Sequence, residues 1–184
     1  MYRFEAAPLS RRIRFTTRLF FTIFLTIPLL MLIVAIVLYF TLPALGGLIQ
    51  VLSGFGCLMA LVFLGLIWLL SRQTPQYYQL DESRLRVVRR KPWRDLIWDL
   101  SDVIQIEEKQ DFPLYRRISY RKSANQGIFC VSGKYWRKDL DGWLQVALSS
   151  DERFILMGRE KGAYAISPAQ PEEFLRSAEY LRSR

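Results

Sequence analysis

The sequence predicts a membrane α-hairpin followed by a cytoplasmic, mainly β domain of α+β class that ends in a helix. Three observations predict it. No charged residue lies between Arg18 and Arg72, two long apolar runs fill that gap, and beyond Gln76 the pattern turns short and alternating. Of the 184 residues, those outside the hairpin suffice for one compact domain.

Residues 1–18 read as a basic cytoplasmic N-terminus, with Arg3, Arg11, Arg12, Arg14 and Arg18 opposed only by Glu5. Residues 19–70 form the hairpin: one run from Leu19 to Leu42, a second from Ile49 to Leu70, and Pro43-Ala44-Leu45-Gly46-Gly47 between them. Each run exceeds the roughly 20 residues that a helix needs to cross about 30 Å of hydrocarbon. A secretory signal is shorter and ends in a small-residue cleavage pattern, which is not found after this first run. Arginines and Lys91 flank both runs while the connecting loop is uncharged, so the positive-inside rule places both termini in the cytoplasm. The expected location is a bacterial plasma membrane, or a thylakoid membrane, spanned twice. The formal net charge of +9 follows largely from this topology, with anionic lipid headgroups as an additional partner. Nucleic acid is not expected, because no recognised binding motif accompanies the charge.

Neither run holds an Asp, Glu, Lys, Arg or His, which disfavours ion transport. Thr22, Thr26 and Gln50 can be satisfied locally, the threonines by their own helix backbone. Pro28 is expected to kink the first helix. In the second run Ser53, Gly56, Cys57 and Ala60 fall at i, i+3, i+4 and i+7, a stripe of small residues that lets helix backbones approach in lipid. The neighbouring span is the expected partner of that stripe, and a second copy of the chain is the alternative.

Residues 76–184 make the cytoplasmic domain. Tyr77–Leu80 and Arg84–Arg89 flank the turn-forming Asp81-Glu82-Ser83, which predicts a hairpin. Leu96-x-Trp98-x-Leu100, Val103–Ile106, Ile128–Val131, Trp143–Leu148, Phe154–Met157 and Ala163–Ile166 predict further strands. Ser149-Ser150-Asp151 and Lys161-Gly162 read as turns. Seven or eight short strands suggest a small sandwich or a partly open barrel. Pro171-Glu172-Glu173 then opens a helix whose apolar stripe is Phe174, Ala178 and Leu181, with Leu175 beside it.

A partly open antiparallel barrel of about seven strands capped by a C-terminal helix is the layout of a pleckstrin-homology (PH-like) fold. The run Tyr164-Ala165-Ile166-Ser167-Pro168-Ala169-Gln170-Pro171-Glu172-Glu173-Phe174 resembles the strand-to-helix junction of bacterial pleckstrin-homology-like domains, which often follow a pair of transmembrane helices. Gly127, Phe129 and Gly142 are similar to the middle of that family. Tyr78-x-Leu80, Leu85-x-Val87 and Leu100-Ser101-Asp102-Val103 are similar to its opening. The resemblance covers Gln76 to the C-terminus. It departs at Val146, where an aromatic residue is expected, and over Gln110–Asn125, a segment rich in Arg116, Arg117, Arg121 and Lys122 that does not align.

The chemistry is sparse. The chain has no histidine, which removes His-based acid–base work, the usual triads and most transition-metal sites. Cys57 falls in the second run and Cys130 in an apolar strand, so no disulfide, catalytic thiol, metal or other cofactor is expected. Glu107-Glu108 and Asp139/Asp141 lie beside basic residues and read as surface pairs. The suggestive feature is aromatic-basic: Arg89-Arg90-Lys91-Pro92-Trp93-Arg94, and Trp136 within Tyr135-Trp136-Arg137-Lys138, are candidate lipid or partner contacts. The expected function is non-enzymatic: a membrane-anchored scaffold or accessory protein whose PH-like domain binds another membrane protein. The alternatives are a reader of anionic lipid and an assembly factor for a membrane complex, photosynthetic or otherwise.

Overall fold

The computed structural model describes residues 1–112 and 118–182. Its elements in chain order are β1 (Tyr2–Glu5), α1 (Arg11–Thr41), α2 (Gly46–Ser71), β2 (Pro75–Leu80), β3 (Arg84–Arg89), β4 (Leu96–Asp99), β5 (Val103–Gln110), β6 (Ile118–Ile128), β7 (Cys130–Arg137), β8 (Gly142–Leu148), β9 (Arg153–Arg159), β10 (Ala163–Ile166) and α3 (Pro171–Arg182). They form two compact units, one of Met1–Thr16 with Ser71–Arg184 and one of Thr17–Leu70.

The second unit is the apolar pair. Both α1 and α2 are long and apolar enough to cross a membrane, and only 11% of each apolar window is buried. A core helix of a soluble protein would be mostly buried. The hydroxyls of Thr22 and Thr41 donate to the carbonyls of Arg18 and Val37, at 3.0 and 2.8 Å, and Thr26 does the same toward Thr22. At Gly56 a Cβ would sit 3.4 Å from Leu32 Cγ, so a small residue is what lets α1 approach there. Gly56 is buried, Ser53 and Ala60 are half-buried, and Cys57 is exposed. Phe24 meets Phe63 edge-on at 4.6 Å. The connection is shorter than the sequence suggests: Pro43–Leu45 form one 3-10 turn and Gly46-Gly47 already belong to α2.

The strand-rich unit is two sheets rather than a closed barrel. One has the order β1-β2-β3-β4 and the other β5-β9-β10-β8-β7-β6. Alternation along each strand explains their packing. Tyr78, Leu80, Leu85, Val87 and Trp98 point from the first sheet toward Ile155, Met157, Tyr164 and Ile166 of the second. Trp98 stacks on Tyr164 at 4.7 Å. Phe174 and Ala178 of α3 close this core, as the sequence stripe implies. The opposite face of the six-stranded sheet has its own core, with Val131, Tyr135, Leu144, Val146, Leu148 and Phe154 packed around Ile13.

Three findings differ from the sequence reading. First, the N-terminal segment is part of the strand-rich unit, so a domain drawn as residues 76–184 is incomplete. Tyr2–Glu5 pair with Leu80–Tyr77, Phe4 packs edge-on against Phe174 at 5.0 Å, and Ile13 is fully buried. Four residues of mixed polarity carry too little periodicity to announce a strand. Second, β8 and β9 are not paired. β10 lies between them, antiparallel to β9 and parallel to β8, so the all-antiparallel barrel of about seven strands is not formed. Close approach makes this insertion possible: a Cβ on Gly142 would fall 2.5 Å from the Gly162 nitrogen, and Gly162 holds φ +96°. Third, the expected strand Ile128–Val131 is a hairpin corner, because Phe129 adopts φ +62° between β6 and β7. Asn125 holds that corner through Ile128, donating to its carbonyl at 2.8 Å.

The start of α1 shows how the N-terminal segment is held. Ser10 is the N-cap: its Oγ accepts from the Ile13 amide at 3.2 Å and donates to buried Asp151. The Arg11 amide donates to Glu152 Oε1 at 3.1 Å, and Arg12 Nη1 lies 3.7 Å from Asp151 Oδ2. The turn after β8 thus supplies acceptors to one amide and one hydroxyl at a helix start that has none of its own acids in its first turn. Beside it Ser167 Oγ accepts from the amides of Ser149 and Ser150, at 2.8 and 3.1 Å. The Ser167 amide in turn donates to the Tyr78 hydroxyl, which donates to the Ala147 carbonyl at 2.9 Å.

Asp151→Ala should lower the unfolding free energy of the strand-rich unit by about 2–3 kcal/mol, since Ser10 and Arg12 lose a buried acceptor. Glu152→Ala, at an exposed acceptor, should cost under about 1 kcal/mol by the same denaturant measurement. Burial pushes the Tyr78 phenol up from 10.0 to about 12. The unfolded chain therefore releases this proton near pH 10 while the folded one keeps it. Tyr78 thus contributes stability below pH 10 that is lost as pH rises to about 12, amounting to about 2–3 kcal/mol. Stability curves of wild type and Tyr78→Phe should converge across that window; parallel curves would contradict the assignment.

Candidate functional site: a basic, aromatic cleft

Alternation on β3 places Leu85, Val87 and then Arg89 on the inward face, so the strand carries a guanidinium to the end of the apolar core. The six-stranded sheet is wider than the four-stranded one that covers it. On β7 and β8 the side chains facing the first sheet, Ser132, Lys134 and Gln145, meet no further strand of that sheet. A cleft of about 270 Å³ remains there. Its walls include Trp93, Leu96 and Trp98, its cations are Arg89 and Lys134, and Gln73 contributes an amide. Among the described residues no Asp or Glu lines it.

The loop from β3 to β4 forms one rim and is held by its own hydrogen bonds. The Trp93 amide donates to the Arg90 carbonyl at 3.1 Å, closing a turn. Arg89 Nε donates to the Arg94 carbonyl at 2.9 Å, and the guanidinium carbon lies 5.7 Å from the Trp93 ring centre. Asp95 anchors the far side: Oδ2 pairs with Arg86 Nη2 at 2.6 Å and Oδ1 accepts from the Arg89 amide at 3.2 Å. Arg72, the residue after α2, donates to the Lys91 carbonyl at 3.0 Å. Half-burial lowers the Arg89 pKa from its ordinary value, with Asp95 opposing that shift through space. Arg86, not Arg89, takes the direct ion pair with Asp95.

Among the contacts expected from sequence, Arg89 and Trp93 line the cleft. Arg90, Lys91 and Arg94 are exposed on the loop. Trp136 lies further along β7, edge-on to Trp143 at 5.5 Å, in a second depression of about 380 Å³ that shares Lys134 and Gln145 with the cleft. Arg116 and Arg117 fall outside the described residues, as do the side chains of Arg121, Lys122 and Asp139. Sequence reasoning did not single out Gln73, Ser132, Lys134 or Gln145 as site residues. The signal was the alternation on β7, where Ser132, Lys134 and Trp136 share a face, but it is legible only once the strand's start at Cys130 is known.

Compared with known proteins, the chain matches no family model, no curated protein and no solved structure.

The reactive candidates are chemically quiet. Burial raises the Cys130 thiol to about 11, with Ser132 and Arg89 opposing. A protonated, buried thiol is a poor nucleophile. Glu108 pairs with Arg153 at 2.6 Å and Glu107 with Lys109 at 2.8 Å. Asp102 pairs with Arg159, which also covers the Tyr164 ring at 4.8 Å. What the arrangement offers is a binding surface: a half-buried guanidinium, an exposed ammonium and two indoles converge on one space that no acid among the described residues lines.

Asp95→Ala should free the rim without unfolding the unit. Amide exchange at Arg89 should accelerate roughly tenfold while global stability falls by less than about 1 kcal/mol, as hydrogen-exchange mass spectrometry and denaturant titration can show together.

Proposed function

We propose that this protein is a non-enzymatic, membrane-anchored accessory protein whose strand-rich unit binds a membrane-protein partner at the cytoplasmic surface. Two long apolar helices with little burial call for a lipid environment, since exposing such faces to water is costly. Residues on both flanks of the pair, Met1–Thr16 and Ser71 onward, belong to one compact unit, which fits an even number of crossings. The arginine-rich flanks favour the cytoplasmic side, of a bacterial plasma membrane or a thylakoid. Two packed sheets with a C-terminal helix, together with the Ser167–Phe174 junction, support reading the unit as a divergent relative of bacterial pleckstrin-homology-like domains. The parallel β8–β10 pair is its own departure.

The observation that carries the binding role is the β3–β4 loop. Five hydrogen bonds and ion pairs described above hold it in one geometry, yet Arg90, Lys91 and Arg94 stay exposed beside the cleft. Preorganised charge of this kind lowers the ordering cost of association.

A triple change of Arg90, Lys91 and Arg94 to Glu should abolish recovery of a specific membrane protein with the full chain in mild detergent, while leaving membrane insertion unchanged. Equal recovery by wild type and variant would exclude the loop as the contact. Reporters at either terminus should be accessible only from the cytoplasm and one at Leu45 only from the opposite side; an external C-terminus would sink the topology.

A further inference from the structure

We propose that the open edge of β4 takes one further strand from the protein partner, an extended segment with acidic side chains on its cleft-facing side, which completes the four-stranded sheet over β7 and β8. This rests on reading the strand-rich unit as a partner-binding unit and goes further by stating what the partner presents and how it is held.

The edge is built for pairing. Among the described residues β4 pairs on one side only, with β3. The Leu100 amide donates to the Ser83 carbonyl at 2.8 Å. Antiparallel pairing alternates, so the amides of Trp98 and Leu96 also turn toward β3, and those of Ile97 and Asp99 turn to the open edge. Natural sheets blunt such edges with lysine, proline or a covering loop. Here Leu96, Ile97 and Trp98 are uncharged, and Ile97 is 65% exposed.

The cleft lies beside that edge. Leu96 and Trp98 line it from β4, and Lys134 and Gln145 line it from β7 and β8. A strand laid along β4 would point every second side chain into it and rest an intervening one against Ile97. The volume of about 270 Å³, under the roughly 300–1,000 Å³ of small-molecule sites, suits side chains delivered from a backbone.

Charge selects the segment. Arg89 and Lys134 line the cleft, and Arg90, Lys91 and Arg94 stay exposed on the loop that leads into β4. An acidic strand meets cations on its inward face and again at its end, whereas a basic one is repelled. Charge alone would admit any polyanion. The outward amides of β4 favour a peptide, which pairs through its own backbone.

The test uses the full chain in a mild non-ionic detergent and the fluorescence anisotropy of short labelled peptides that alternate Glu with Val. The controls are the peptide with Lys for Glu, the acidic peptide N-methylated throughout, and a short oligothymidylate of matched charge. The acidic peptide should bind saturably and the Lys peptide should not. N-methylation should weaken binding about tenfold or more, because it removes the donors offered to β4. Ile97→Pro removes an outward amide and leaves the bonds to β3 in place, so it should lose about tenfold or more, while Ile97→Ser keeps the amide and should lose less. Because a proline can affect folding, Lys134→Glu provides the second variant and should also lose about tenfold or more. Arg176→Glu, the same charge change on exposed α3, should bind as wild type.

Absence of saturable peptide binding would overturn the proposal, as would equal affinity for the acidic peptide and its N-methylated form, or equal losses in Lys134→Glu and Arg176→Glu. Oligothymidylate binding as tight as the peptide's and indifferent to Ile97→Pro would replace the strand with a general polyanion. If the triple loop variant loses its membrane partner while a folded Ile97→Pro protein keeps it, only strand addition fails. If the loop variant keeps the partner, the reading beneath this inference fails instead.

Discussion

The strand-rich unit depends on how the first helix begins. An α-helix starts with amides that have no partner inside it, and α1 has no acidic residue in its first turn to compensate. Ser10, Asp151 and Glu152 meet this need from a helix cap and a distant turn. The same turn is fixed by Ser167, and Ser167 by Tyr78, so one hydrogen-bonded chain runs from the N-terminal segment through both sheets. Ala7 and Ala169 add backbone bonds to Ser167 and Glu5, at 2.8 Å each. Removing the N-terminal segment would therefore expose Phe4 and Ile13 positions in both cores and unpair an edge of β2, rather than trim a loose tail.

The cleft follows from a mismatch in strand number. Four strands cannot cover six, and the uncovered part lies over β7 and β8. There the inward alternation changes from apolar to polar: Leu85 and Val87 give way to Arg89, and the facing positions are Ser132, Lys134 and Gln145. A charge at the end of a core is tolerable only if its donors are used, and the Arg94 carbonyl with the Trp93 ring serves that purpose. Among the described residues no carboxylate forms an ion pair with this guanidinium, and Asp95 acts on it only through space.

Glycine positions make the unusual strand order possible. Inserting β10 between β8 and β9 brings Gly142 and Gly162 together, where any side chain would collide with backbone. Gly162 further donates to the Leu140 carbonyl at 3.1 Å, pinning the start of β10 beside the start of β8. The parallel register then aligns Ala163–Ile166 with Leu144–Ala147, so alternate residues of β10 serve both cores at once.

Much was legible in the chain alone. The two apolar helices, strands Arg84–Arg89 and Ala163–Ile166, and the amphipathic α3 are local patterns, set by hydrophobic period and by residues such as Pro171 that act on their immediate neighbours. Arg89 and Trp93 stood out because charge and aromatic residues cluster in one short loop. Strand partners, by contrast, are chosen by long-range packing. The pairing of β1 with β2, the parallel β8–β10 ladder and the hairpin corner at Phe129 each depend on contacts between residues far apart in sequence, or on one backbone angle that no side-chain pattern announces. Local periodicity determined which segments form helices and strands. Only their docking decided that Ser10 would cap against Asp151 and that Arg89 and Lys134 would line one cleft, because those encounters exist only once both sheets have closed.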